Sequence, residues 1–552
     1  MSRQVLFFII TNFHFFCYCQ NWNWVYPVSN TFGRNISIQA DSAGNGYFAG
    51  QIMPQGFFEA SNGTFNGGAL RPYFVKYDKQ GNIKVLAGGY GKFVAGYSFF
   101  IDPWGSGNSY FTGTFGDTIS FGIGPDTVAE ISSNQTTNLF LTKHDSTGKC
   151  NYVHQEAGPC DDVGLQIIPA SATELYLLKY VEYSCPPGYG WWNYPLSKIN
   201  SLTGSTHWTI PKLCGIGADQ IKILNTRDGG FLFCGRFQDS CRFFGLHTSL
   251  LLSCPNTTVM GIFLVKYDAA GELSWGKKIE HAGFFVAADV DIHSNITLGI
   301  AETPNYDPVN MRYENIIFPK APSHILRIDS NGNYLTRADL TIDATSMGEI
   351  HSDRFGNIYF GAKTTHTFVL NSDTLRWFPS TPGSIISIIK TTPELTYISS
   401  NYFTGNTNGN VSFAITDSII YAGGFFDGIL YFNIGNTTHT TTESVLPGSV
   451  MAAMPNRDNN IVSMSEISQN STSFHIFPNP TRDGLKVSYH TQTTKNLSLS
   501  VTNQLGQTIL SRQYQNKNSI SETMDVRSLA RGIYFVQVLS DQATEVKKVI
   551  IE

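Results

Sequence analysis

The sequence predicts an all-β protein: a seven-bladed β-propeller followed by a small Ig-like β-sandwich C-terminal domain. Three observations carry this. Two short phrases alternate along most of the chain at a spacing of about 63 residues. Charged residues make up only 14% of the chain, aromatics reach 13% and there are 51 glycines, a balance that suits sheets with many tight turns and opposes disorder. After residue 466 the repeats stop and a different strand-rich vocabulary takes over.

At 552 residues the chain is too long for one ordinary core. Its net charge of −5 is small for that length and there is no basic stripe, so nucleic acid is not an expected partner. Residues 1–19 read as a signal peptide: Arg3, then the apolar run Val5–Ile10 and the aromatic stretch Phe13–Cys19. The competing reading is a buried first strand. No later segment has the roughly 18–20 uninterrupted apolar residues of a membrane helix, so no transmembrane span is expected.

Residues 20–466 hold the repeats. The first phrase is an apolar strand, then K-Y-D-x-x-G, then another strand. Its Asp slot falls at Asp78, Asp145, Asp268 and Asp329, with Asn200, Thr392 and Met454 in degenerate copies. The second phrase is a turn rich in Asp, Asn and Gly that enters a short strand ending in small residues. Its copies are "DSAGNGYFAGQ" (Asp41–Gln51), "DPWGSGNSYFTGTF" (Asp102–Phe115), "TRDGGFLFCGRF" (Thr226–Phe237) and "DRFGNIYFGAK" (Asp353–Lys363). Weaker copies begin at Ala170, His293 and Thr416. Each repeat therefore holds about four short strands. Such a sheet cannot bury both faces alone, but stacking on its neighbours does so, and radial closure leaves only short edges. Closure needs a splice, and "NWNWVYPVS" (Asn21–Ser29), with Trp24 where "LSWGKKI" has its tryptophan, is expected to supply one strand to the last blade. At "LVKYDAAGELSW" and "DSAGNGYFAG" the repeat resembles the bacterial β-propeller repeat family of exported surface proteins.

Nine cysteines are present, two of them in the signal segment. The others are Cys150, Cys160, Cys185, Cys214, Cys234, Cys241 and Cys254; none has zinc-finger spacing. In an exported chain they read as local disulfides, with Cys150–Cys160 and Cys234–Cys241 as candidates, against buried free thiols as the alternative.

Residues 467–473 form a polar linker. In 474–552, "FPNP" and "TRDG" mark a sharp turn into a strand at Leu485–Tyr489, and further alternating strands follow to the end. This stretch resembles the C-terminal sorting domain of the type IX secretion system of certain Gram-negative bacteria. The resemblance rests on "FPNP" (Phe477–Pro480), "VTNQLGQ" (Val501–Gln507), "LARGIYFVQV" (Leu529–Val538) and "KKVII" (Lys547–Ile551). It implies a secreted or outer-membrane surface-attached protein that engages the type IX machinery. Pro478, Asn479, Pro480, Gly484, Gly532, Tyr534, Lys547 and Lys548 would carry the signal; each also has a plain role in holding the fold.

No nucleophile elbow, phosphate loop or H-E-x-x-H helix occurs, so no catalytic residue, cofactor or metal ligand is assigned. Calcium is the one ion the Asp turns resemble a site for, but they lack the full loop pattern, and Asp followed by Gly is also what a hairpin turn needs. "YGWWNYP" places Tyr189, Trp191, Trp192 and Tyr194 on one loop. It is a candidate stacking platform for sugar rings or a partner protein, or else an apolar plug over a blade. The preferred function is binding or scaffolding, with a glycan or protein ligand. A polysaccharide lyase or glycosidase with catalytic residues from separate blades is the alternative, and a structural adhesin or motility component the second.

Overall fold

The computed structural model describes residues 14–16, 22–29, 31–52, 57–60, 63–66, 71–122, 128–131, 137–156, 161–182, 192–214, 218–254, 260–280, 284–301, 311–319, 321–341, 347–364, 367–371, 373–376, 384–405, 412–426, 430–434, 437–440, 448–456, 473–503, 507–540 and 544–552. The chain divides into two compact units, 1–459 and 460–552. All regular structure among the described residues is strand, and no described helix is long and apolar enough to cross a membrane.

The N-terminal unit is a succession of four-stranded antiparallel meanders, a curled, propeller-like arrangement. The first uses Thr31–Ala40, Gly46–Ile52, Arg71–Tyr77 and the start of Ile83–Ile101. That last strand continues into the second meander, with Ser109–Phe121, Asn138–His144 and Cys150–Glu156. The third is Asp162–Ser171, Glu174–Glu182, Leu196–Asn200 and Thr206–Ile210. The fourth is Ala218–Asn225, Phe231–Phe237, Gly261–Tyr267 and Leu273–Glu280. The fifth is Phe284–Val290, Ile296–Ala301, Ser323–Ile328 and Tyr334–Leu340. The sixth is Met347–Ser352, Ile358–Thr364, Ser384–Thr391 and Tyr397–Gly405.

The last meander takes Ser412–Ile415, Ile419–Phe426 and Gly448–Pro455 from its own stretch of chain. Its fourth strand is Trp24–Ser29, in register from Trp24↔Ala453 to Ser29↔Gly448. The strand expected from 21–29 is therefore found. His14–Phe16, inside the segment read as a signal peptide, pairs in parallel with Asp373–Arg376.

The repeated phrases are tight turns with a shared hydrogen-bond plan. In 78–82 the Asp78 carboxylate accepts from the backbone N–H of Gln80 (3.0 Å) and Asn82 (2.8 Å), and the Asn82 amide donates to it at 2.9 Å. Gly81 closes the turn at φ +87°, a left-handed conformation that glycine takes without a steric cost. Burial pushes the Asp78 carboxyl up, but the Asn82 bonds and Lys84 outweigh it and hold it at about 2. The turns at Asp41, Asp268, Asp329 and Asp353 repeat the carboxylate bonds. Among the described residues no group of three or more acids, histidines or cysteines could hold a metal ion.

The lysine of K-Y-D has its own partner. Lys76 lies 3.6 Å from Asp41, Lys198 3.0 Å from Glu174, Lys266 2.7 Å from Asp228 and Lys390 3.9 Å from Asp353. Arg327 takes the same place beside Asp291 at 2.6 Å, with both side chains almost fully buried. Each cation joins the third strand of a meander to the turn before its second or, for Lys198, to the first residue of the second strand. The Lys76, Lys143, Lys198 and Lys390 ammonium groups also sit over Tyr47, Tyr110, Tyr176 and Tyr359, at 5.2, 5.8, 6.0 and 5.3 Å. In the last meander the register puts Ala453 opposite Tyr421, where the others have the cation. The Asp slot there is consequently Pro455, one residue beyond the Met454 read from sequence. The phrase there carries no charge to mark its register.

Each hydrophobic cluster of the N-terminal unit lies between consecutive meanders. One joins the last meander to the first: Ile38, Phe48, Tyr73, Val75 and Leu86 pack with Ala414, Tyr421, Met451 and Ala453. The contacts at this seam match those elsewhere. Trp24 lies against Gly81 and donates to Lys79 O at 3.1 Å, as Trp275 lies against Gly332 and donates to Ser330 O at 3.0 Å. Tyr421 donates to Gly44 O and Tyr176 to Gly229 O, both at 2.7 Å. The first strands touch in cyclic order, Ser412–Ile415 against Thr31–Ala40 included. Burial of each such aromatic contributes roughly 1.5–3 kcal/mol.

Of the two disulfide candidates, Cys234–Cys241 is corrected, and Cys150–Cys160 stays open. Cys234 packs between the fourth and fifth meanders with Leu264 and Leu298, whereas Cys241 packs between the third and fourth with Phe233 and Phe263. The two therefore lie on opposite faces of one sheet and no bond joins them. Cys150 is buried and donates to Tyr152 O at 3.4 Å; Cys160 lies outside the described residues.

The C-terminal unit is one antiparallel sheet of Ser473–Phe477, Gly484–Asn503, Thr508–Asp525, Gly532–Ser540 and Thr544–Ile551. The long strand Gly484–Asn503 pairs through its first half with Ser473–Phe477 and through its second half with Gly532–Ser540. Leu485, Val487 and Tyr489 of the first half share one core with Leu499, Val501, Val536 and Val549, so the two halves face one another.

Candidate functional site

A meander puts its alternate connections on opposite rims. The tight Asp turns, which join first to second and third to fourth strands, share one rim. The connections from second to third strands share the other and are far longer: 53–70, 122–137, 183–195, 238–260, 302–322, 365–383 and 427–447. Conformity is thus confined to one rim, and divergence between copies to the other.

The candidate platform belongs to the divergent rim. Tyr189 and Trp191 lie outside the described residues, and Trp192 starts a two-residue strand against Glu182. Tyr194 is half-buried, its ring 5.9 Å from that of Tyr180, and it packs onto the core between the third and fourth meanders. Sequence reading missed two guanidinium–aromatic pairs on this rim. Arg236 is held by Asp219, Nε to Oδ1 at 2.8 Å, and lies 5.1 Å over Phe284; Arg71 lies 4.5 Å over Tyr90. These residues are remote in sequence, so no linear motif could reveal them.

The first strands expose backbone groups on their free edges, and side chains of the preceding meander satisfy several of them. Gln39 donates to Phe99 O at 2.7 Å and accepts from Ile101 N at 2.9 Å. Gln166 does the same to Ile223 O and N, both at 2.9 Å. Ser98 accepts from Ile167 N, Gln220 from Phe285 N and Glu349 from Phe413 N. Glu349 also faces His351 at 3.3 Å. Burial pushes its carboxyl up, but His351, Lys222 and the Phe413 N–H outweigh this and keep it ionised. These groups act as edge caps, so their hydrogen-bonding capacity is spent on the framework.

In the C-terminal unit the residues read as a sorting signal converge on the last strand. The Asn479 amide donates to Lys548 O at 2.8 Å and accepts from Ile550 N at 2.9 Å. Thr481 N donates to Ile550 O, and Glu552 N to Thr481 O, both at 2.9 Å. Pro478 and Pro480 flank this clamp, and Thr481 Oγ1 donates to Gly484 O. Gly532 and Tyr534 pair with Ile551 and Val549 of the same strand. Lys547 reaches over the Phe474 ring at 5.6 Å, and the Lys548 side chain is exposed.

Comparison with known proteins adds one family and weak structural likenesses. Residues 475–552 match the secretion system C-terminal sorting domain. No curated protein matches the chain. Among solved structures, acylaminoacyl peptidase of Pyrococcus horikoshii is 10% identical with a TM-score of 0.38, over 84% of this chain and 58% of that one. This chain therefore spans less than two thirds of that protein's length. The Pan2 WD40 domain of Neurospora crassa is 9% identical with a TM-score of 0.33, over 77% and 90%. Dimeric latent PorU of Porphyromonas gingivalis is 12% identical with a TM-score of 0.14, over 68% and 31%. Likenesses this weak carry no function across. The sorting-domain match covers the unit whose motifs meet at the last strand. Residues 475–552 are thus a type IX secretion C-terminal sorting domain, and the protein that bears it is exported to the cell surface or the extracellular space.

Proposed function

We propose that the mature protein is a seven-bladed β-propeller, 20–466, that binds or scaffolds on the outside of the cell. Residues 1–19 act as its signal peptide, 467–473 as a linker, and 474–552 as a removable Ig-like sorting domain. The observation that carries the binding role is the division between rims. One rim and the inner edges use most of their polar groups on turns and edge caps, although Arg354 lies over the exposed Phe355 ring there, while the long connections, the Arg236–Phe284 and Arg71–Tyr90 pairs and "YGWWNYP" lie on the other. Stacked rings and planar cations suit a sugar face or an acidic protein surface. The Ig-like reading is supported by Tyr534, whose hydroxyl donates to Ala530 O at 2.9 Å, a bond of the tyrosine-corner kind. Pro478, Asn479, Pro480, Gly484, Gly532, Tyr534, Lys547 and Lys548 form the signal as one folded edge.

Two measurements test this. Mature protein is screened against glycan and matrix-protein arrays, beside a variant with 183–193 replaced by a Gly-Ser linker. Binding by the native chain that the variant loses is expected; no binding on either array refutes the role. Fusing 474–552, behind an export signal, to a reporter should send it to the surface or medium, and N-terminal sequencing of the mature product should begin near residue 20.

A further inference from the structure

The hairpin Ser240–Phe244/Ser249–Ser253 lies within the long connection 238–260 and packs onto the core between the third and fourth meanders. One residue outside it completes its ladder: Cys214 pairs antiparallel with Phe243, and Phe244 N donates to Leu213 O at 3.0 Å. Residues opposite one another, or two apart diagonally, share a face of such a ladder. Cys214 and Cys241 are therefore diagonal neighbours on one face, both almost fully buried against Tyr176, Phe233 and Phe263. The neighbouring Cys241 thiol, and after it burial, pushes the Cys214 thiol well up, so it is unreactive once packed.

An exported chain folds where thiols are oxidised. We propose that Cys214 and Cys241 form a disulfide in the exported protein, stapling the hairpin to the connection that precedes the fourth meander. The oxidant is a disulfide-bearing thiol oxidant of the export compartment. One cysteine thiolate attacks the oxidant's S–S bond, giving a mixed disulfide and releasing one oxidant thiolate. The second cysteine then attacks the mixed disulfide, closes Cys214–Cys241 and releases the other. Two electrons pass to the oxidant's sulfurs, and the two protons lost by the cysteines end on its thiols. Because both cysteines are buried, the exchange belongs to folding, before the cluster closes. Cys254 is the competitor, since it lies two residues beyond Leu252, the residue opposite Cys241, and is thus its other diagonal neighbour; the interaction of the Cys214 and Cys241 side chains favours the first pair.

The test uses the native chain. Protein recovered from the surface or medium of a secreting host is quenched in acid, denatured, alkylated without reductant and mapped by mass spectrometry. A linked Cys214–Cys241 peptide is expected, with Cys234 and Cys254 alkylated. A second arm needs no export: chain made in a reducing cytosol is refolded with oxidised glutathione, and the same link should form there but not when glutathione is added to folded protein. Alkylation of both Cys214 and Cys241 in the exported and the glutathione-refolded protein overturns the proposal, as does a link from either to Cys160, Cys185 or Cys254.

Discussion

His144 makes the N-terminal unit sensitive to acid by an amount that can be worked out. It sits at the end of Asn138–His144, almost fully buried, with ring centroids 5.1 Å from Phe74 and 5.9 Å from Phe121. Neither ring nitrogen has a hydrogen-bond partner. Burial lowers its pKa from the ordinary 6.5 to about 4, with Asp145 opposing slightly. A base whose folded pKa is depressed is protonated first in the unfolded chain, so stability is present above the unfolded value and falls with pH down to the folded one. The gap corresponds to roughly 3 kcal/mol in full, and about 2 kcal/mol of it is lost between pH 7 and pH 5. All eight tryptophans precede residue 460, so urea unfolding followed by tryptophan fluorescence reports this unit alone. His144→Phe, a ring suited to a phenylalanine-lined site, removes the titration while other groups cancel in the difference. The native chain should lose about 2 kcal/mol more than the variant over that interval. Parallel curves would refute the reasoning, because His144 would then be reaching a proton acceptor or water in the folded state.

The other predictions concern the framework. Arg327→Met leaves Asp291 buried without its cation and should cost about 3–5 kcal/mol in urea unfolding, whereas the double variant Arg327→Met/Asp291→Asn, which removes the buried charge but keeps an oxygen for the His293 and Asn295 N–H groups, should recover part of it. Trp22 packs edge-on to Phe403 at 5.7 Å in the core that precedes the seam; Trp22→Ala should cost about 3–5 kcal/mol and speed proteolysis of the N-terminal strand. Asn479→Ala frees Lys548 O and Ile550 N. Faster amide exchange at the last strand is expected, with less reporter outside the cell; unchanged exchange would show that the clamp does not hold that edge.

Several features could be read before any coordinates. The alternating phrases announced tight turns because an Asp carboxylate that takes its own turn's N–H groups, with glycine at positive φ, is a local device. The strand from 21–29 was legible because its tryptophan stood where another copy had one. The buried lysines were in plain view in K-Y-D, yet their acids lie in the other phrase. Only pairing of second and third strands brings Lys76 to Asp41 or Lys390 to Asp353. The Met454 misplacement arose where that charge is missing.

By itself the sequence determined the repeated strand–turn–strand unit, the change of vocabulary near 466 and the export address, because each is written in contiguous residues. Tertiary structure alone decided which cysteines meet, which rim carries the long connections and which polar groups are used up as edge caps. Neighbours along a strand point to opposite faces, and residues far apart in the chain share a face only once the register is set. Cys234 and Cys241, close in sequence, are held apart by the sheet of the fourth meander, since the separate hairpin that carries Cys241 packs against the face opposite Cys234, while Cys214 and Cys241 are brought together.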